Sequence, residues 1–94
     1  MRETRENLLR RLYYQAARRG TKEADLLLEA FARIYLPQFD SNQLAELDRL
    51  LQLQDHDILQ WRLGHAPLPP KYDGPVMRLL LSFDLVNTFS KGIL

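Results

Sequence analysis

Apolar side chains recur at helical spacing along most of the chain, and no stretch alternates with the two-residue period of a strand. From Arg5 to about Arg18, Leu8, Leu12 and Ala16 fall on one stripe, widened by Leu9 and Tyr13. Gly20 closes this helix, because glycine takes the left-handed conformation of a helix end without steric cost. Thr21 is the N-cap expected of a second helix over about Lys22 to Tyr35, whose core face reads Ala24, Leu27, Leu28, Phe31, Ile34 and Tyr35. Pro37 prevents its continuation.

A third helix is expected after Asp40 or Ser41. Asp40 and Gln43 have the spacing of a capping box, and Phe39 is placed to staple onto Leu44. Leu44, Leu47, Leu50 and Leu51 supply its apolar face. A short fourth helix follows, with Asp55 as N-cap, Ile58, Leu59 and Trp61 inward, and Gly64 as stop. His65 to Asp73 carries Pro67, Pro69 and Pro70 and reads as an extended crossing. Gly74-Pro75 opens a fifth helix with proline at its first position. Met77, Leu80, Leu81 and Leu85 form its stripe, flanked by Leu79, Phe83 and Val86, with fraying expected around Asn87, Ser90 and Gly92. Short connections favour antiparallel neighbours. The expected fold is all-α, a small four- or five-helix bundle forming one domain over residues 1–94, with its core at about 5–88.

Composition narrows the chemistry. The 94 residues include no cysteine, which removes disulfides, thiolate metal sites and a cysteine nucleophile. No run approaches the ~20 apolar residues of a membrane helix, so membrane insertion is not expected. The N-terminus has no apolar signal stretch, and its acids are unlike a cleaved presequence, so the expected location is cytoplasmic. Charge is unevenly spread. Residues 1–22 hold seven basic and two acidic side chains, whereas residues 23–57 hold two basic and eight acidic ones. A chain built mainly to hold nucleic acid is more uniformly basic.

The residues offer no catalytic constellation. His56 and His65 bracket the fourth helix, and Asp55-His56-Asp57 invites a metal, but adjacent helical residues point about 100° apart. Ser41, Ser82 and Ser90 lack the glycine-framed elbow of a nucleophile. No Walker loop or dinucleotide fingerprint occurs, so neither a resident cofactor nor enzymatic activity is expected. A bundle this small also leaves little room for a pocket of the ~300 Å³ that ligands occupy. Trp61, the only tryptophan, reads as a core or half-buried packing residue.

The turn between the first two helices combines local rules with a recognisable pattern. Arg18 and Arg19 are cations at a helix C-terminus, Thr21 is a cap, and Glu23 is an acid in the next first turn. Residues 11–28 also carry the run Arg19, Gly20, Glu23, Asp25, Leu26, Leu27, which is R-G-x-x-E-x-D followed by aliphatics. Asp55, Asp57, Ile58, Leu59 and Trp61 give a second run, D-x-D-hydrophobic-hydrophobic-x-W. These two landmarks, their spacing and the helix order resemble the SdhE family of succinate dehydrogenase assembly factors over about residues 8–85.

The resemblance implies a non-enzymatic helical chaperone. Its partner would be the flavoprotein subunit of succinate dehydrogenase, or of fumarate reductase, and it would promote covalent FAD attachment there. It further implies that Arg19, Gly20 and Glu23 form the contact surface, with Asp25 beside them. Glu23 and Asp25 lie about 200° apart on a helix, so Glu23 is expected to face the partner and Asp25 to turn inward. Arg11 and Tyr14 are expected to extend the patch on its basic side. Two other readings of the residues stay open: a nucleic-acid-binding helical module, for which Arg2, Arg5, Arg10, Arg11, Arg18, Arg19 and Lys22 speak, and a self-associating structural bundle.

Overall fold

Thr4 Oγ1 accepts from Asn7 N and starts the first helix, α1 (Arg5–Ala17). This is a computed structural model of the chain, and it describes residues 3–84. Thr21 caps α2 (Lys22–Tyr35) in the same way, its hydroxyl accepting from Ala24 N. A 3-10 turn over Leu36–Gln38 follows, with Pro37 inside it. Asp40 and Gln43 complete a reciprocal capping box at the start of α3 (Ser41–Leu50). After a short link comes α4 (Asp55–Arg62), ended by Gly64 at φ +76°. The proline-rich crossing includes a 3-10 turn at Pro70–Tyr72 and leads to α5 (Pro75–Leu81). No strand is present among the described residues.

One apolar cluster draws on all five helices: Leu12 and Ala16 from α1, Leu28 and Phe31 from α2, Leu44 and Leu47 from α3, Ile58 from α4, Met77 and Leu80 from α5. Phe31 meets Phe83 edge-on at 5.5 Å, and Tyr35 stacks on Phe39 at 5.8 Å, so the link after α2 and the end of α5 close over the same aromatic group. Trp61 is half-buried and packs on Tyr72 at 5.5 Å.

Three local expectations are corrected. Helix α1 stops at Ala17, and Arg18 is its C-cap. Asp55 is the first residue of α4 and not its cap; Gln54 holds the cap position, and the Asp55 carboxylate is drawn elsewhere, as described below. Helix α5 ends at Leu81, so it does not reach Phe83; Leu85, Val86, Asn87, Ser90 and Gly92 lie outside the described residues. Gly74 cannot cap α5 with a side chain, and Glu46 of α3 does so instead, its Oε2 accepting from Met77 N at 2.9 Å. A Cβ on Gly74 would lie 2.7 Å from that same oxygen.

Candidate functional site

Helix α1 runs out of hydrogen-bonded turns at Ala17, and the chain must reverse within four residues to start α2. Gly20 makes this possible at φ +110°, a conformation that side chains with a Cβ disfavour. The reversal leaves two backbone N–H groups pointing into the turn. Both are satisfied by Asp25, whose Oδ1 accepts from Arg19 N at 2.5 Å and Gly20 N at 3.2 Å. Asp25 therefore turns back on the junction, as its angular distance from Glu23 requires.

The Arg19 side chain leaves the turn in the opposite sense and enters the seam between α3 and α4. Its Nε donates to Asp55 Oδ1 at 2.6 Å, its Nη1 to Leu51 O at 2.6 Å, and its Nη2 to Leu53 O. The Arg19 and Asp55 side chains are only 9% and 13% exposed. A planar guanidinium is suited to this task, because its fixed fork reaches a carboxylate and two carbonyls together. The two sequence landmarks, 36 residues apart, are thus joined by one buried ion pair.

Other members of the expected patch are distributed differently. Glu23 is exposed, and its carboxylate has no ion-pair or hydrogen-bond partner among the described residues. Tyr14 is 59% exposed, with the Arg18 guanidinium stacked 4.4 Å above its ring. Arg11 is committed to α3: it donates to both carboxylate oxygens of Asp48, at 3.1 and 2.9 Å, and also to Glu3. That double engagement pushes the Arg11 pKa up and holds Asp48 below the usual carboxylate range. So Arg19, Gly20 and Asp25 are brought together as one joint, Glu23 stands out from it, and Arg11 braces α1 against α3.

Several arginines of α1 and of the turn after it make bonds within the protein. Arg5 donates to Phe39 O, Arg10 to Asn7, and Arg11 and Arg19 are paired as above. A phosphate-binding face needs cations free to displace counterions. Among the described residues, no three His, Cys, Asp or Glu side chains come together as a metal site, and no helix is long and apolar enough to cross a membrane.

A bundle of this size is expected to leave little room for a ligand pocket, and the hollows it shows are open surface grooves. A groove of about 560 Å³ lies between α1 and the end of α2, and another of about 310 Å³ lies between α2 and α4. The second was not legible from periodicity. It is lined by Glu23, Leu26, Leu27, Leu59, Arg62 and Leu63, and Leu26 and Leu63 are 45% and 62% exposed.

Fold and junction together define a small all-α module whose most specified feature is a rigid turn rather than an enclosed cavity. The chain belongs to the Sdh5 family, flavinator of succinate dehydrogenase, whose model matches residues 10–84. It is 42% identical over 80 residues to the mitochondrial succinate dehydrogenase assembly factor 2-A of Drosophila mojavensis, covering 83% of this chain and 51% of that protein. Assembly factor 2-B of Drosophila yakuba is also 42% identical with the same coverage. Assembly factor 2 of Drosophila grimshawi is 44% identical over 72 residues, 74% of this chain and 49% of its own. The chain spans about half the length of the curated relatives it matches. Their names correct the expected cytoplasmic location, since each is a mitochondrial factor.

Proposed function

We propose that this protein is a non-enzymatic assembly factor that binds the flavoprotein subunit of succinate dehydrogenase, or of fumarate reductase, and promotes covalent attachment of FAD to it. Family membership and the names of the relatives support this reading. The relatives' mitochondrial names support a place in the compartment where succinate dehydrogenase is assembled.

The observation that carries the site is the division of labour within one turn. Arg19 and Asp25 are consumed in shaping it, while Gly20 and Glu23 stay exposed, and an added Cβ on Gly20 would meet no atom of this protein within 4 Å. A bare glycine next to an unpaired carboxylate gives a partner backbone close access and one fixed charge. In this reading Gly20 and Glu23 touch the flavoprotein, Arg19 and Asp25 hold them in place, and Tyr14 flanks the contact. Arg11 contributes by fixing α1. The new bond would form within the flavoprotein, between its own residue and FAD, and the small protein would hold the conformation in which that happens.

The test is reconstitution of the purified flavoprotein subunit with FAD, with and without this protein, read as flavin fluorescence that survives denaturing electrophoresis. The expected result is faster covalent labelling with the wild-type chain and none of that acceleration with Glu23→Ala. Equal labelling with and without the wild-type chain would overturn the reading.

A further inference from the structure

The groove between α2 and α4 starts at Glu23 and is not used by the turn itself. Besides Glu23 it is lined by the buried Leu27, the half-buried Leu59, the exposed Leu26 and Leu63, and Arg62. The Arg62 side chain is tethered, since its Nη1 donates to Leu80 O and Leu81 O at the end of α5. Among the described residues, Glu23 is the one charged side chain lining this groove that has neither a hydrogen-bond nor an ion-pair partner. An apolar trough with a lone carboxylate at its mouth is complementary to an apolar side chain carried next to a cation. The larger groove beside α1 is more open and carries three charged side chains, Glu6, Arg10 and Arg33, and its one exposed large apolar residue is Tyr13, so it lacks a pair of exposed aliphatic side chains. Nor does the α2–α4 patch suit a second copy of this chain: two exposed leucines fall well short of the ~800 Å² per partner that a stable dimer buries.

We propose that this groove is a second docking point for the flavoprotein, receiving a segment that presents an aliphatic anchor with an arginine or lysine within one helical turn. The anchor lies between Leu26 and Leu63, and the cation pairs with Glu23. This rests on the function proposed above and extends its contact from the Gly20 turn to α4. It also assigns Leu26 and Leu63 a role that helical periodicity gives no reason to suspect. On a stripe diagram they are outward residues with the wrong polarity, and their exposure is explained once a partner covers them.

The experiment uses the full chain and two probes: the purified flavoprotein subunit of succinate dehydrogenase, and a synthetic amphipathic peptide carrying leucines beside arginine. A matched peptide has glutamate in place of arginine. Leu63→Asp and Leu26→Asp are expected to weaken flavoprotein binding about thirtyfold, the loss of a hot-spot anchor, while Leu63→Met stays within about threefold. Thermal melting of each variant separates lost binding from lost fold. The arginine peptide is expected to shift the methyl resonances of Leu26 and Leu63, and Glu23→Lys to transfer that preference to the glutamate peptide.

Flavoprotein binding undiminished in well-folded Leu63→Asp would overturn the groove and leave the proposed function intact. Methyl shifts from the arginine peptide, without any flavoprotein binding by the wild-type chain, would overturn the proposed function and with it the flavoprotein as the occupant of the groove. Equal shifts from both peptides, or none from either, would overturn the groove. So would a dimer that dissolves in Leu63→Asp, since the occupant would then be a second copy.

Discussion

Arg19 and Asp55 are joined by a 2.6 Å charge-assisted hydrogen bond at the seam where the first turn meets the start of α4. Neither side chain is available to a partner. Their value to a binding surface is indirect: they decide where the backbone of Gly20 lies.

Removal of Arg19 is expected to destabilise the protein by about 2–4 kcal/mol. Arg19→Ala strands a nearly buried carboxylate and frees the Leu51 and Leu53 carbonyls from their donor. Arg19→Lys should recover only part of this, because an ammonium cannot reproduce the fork. Urea denaturation of both variants, with Asp55→Ala and the double mutant to complete a cycle, measures the coupling. Additive single mutants would show that the pair contributes little.

Glu23→Ala is expected to separate stability from binding. The fold should lose at most the ~0.3–1 kcal/mol of a first-turn acid. Flavoprotein binding should fall sharply. Calorimetric unfolding and a binding titration on the same sample check both halves.

Gly20→Ala should cost about 1–2 kcal/mol through its backbone alone, since φ is +110° and no neighbour obstructs a methyl group. Gly20→Asn should cost less, because asparagine tolerates positive φ better than alanine. If alanine were neutral in denaturant melts, the turn would have relaxed to a different shape.

Asp48 gives a pH signature. Its folded pKa is depressed by hydrogen bonding to Arg11, so its contribution is present above the ordinary carboxylate pKa of about 3.9 and is lost as pH falls through the folded value. With both side chains about a third exposed, the effect should be no more than ~1 kcal/mol. Asp48→Asn should therefore lower stability at neutral pH and flatten its decline below about pH 4, seen in urea midpoints across pH.

Glu46→Ala should destabilise by about 1 kcal/mol, the size of a lost helix cap. Glu46→Gln keeps an acceptor for Met77 N and should recover most of it. Chemical denaturation of the two variants checks this.

Much of the fold is legible in sequence because its signals are local. The Thr21 cap, the Asp40–Gln43 box, the positive-φ glycines at Gly20 and Gly64 and the leucine stripe of α3 each act within one or two turns. The site is legible only in part. That Asp25 faces away from Glu23 follows from helix geometry. That Arg19 reaches Asp55 does not, because nothing within a turn of either residue records the other. The same blindness explains Asp55, whose position fits an N-cap although its carboxylate serves Arg19. It also explains Glu46, which caps a helix 31 residues further on. Leu26 falls within the first sequence landmark, but its exposure and that of Leu63 are not legible there, since exposure is a property of the assembled surface.

The clasp has a consequence in time. Helices α1 and α2 are neighbours in sequence and can pair early, with little loop to close. The guanidinium of Arg19 finds its acceptors only when Leu51, Leu53 and Asp55 arrive from further along, after a much longer loop has closed. Asp25 can hold the turn backbone locally, but the clasp that ties the turn to α4 is complete only once Leu51, Leu53 and Asp55 are seated. A client that reads the clasped turn would ignore partly folded copies and engage finished ones.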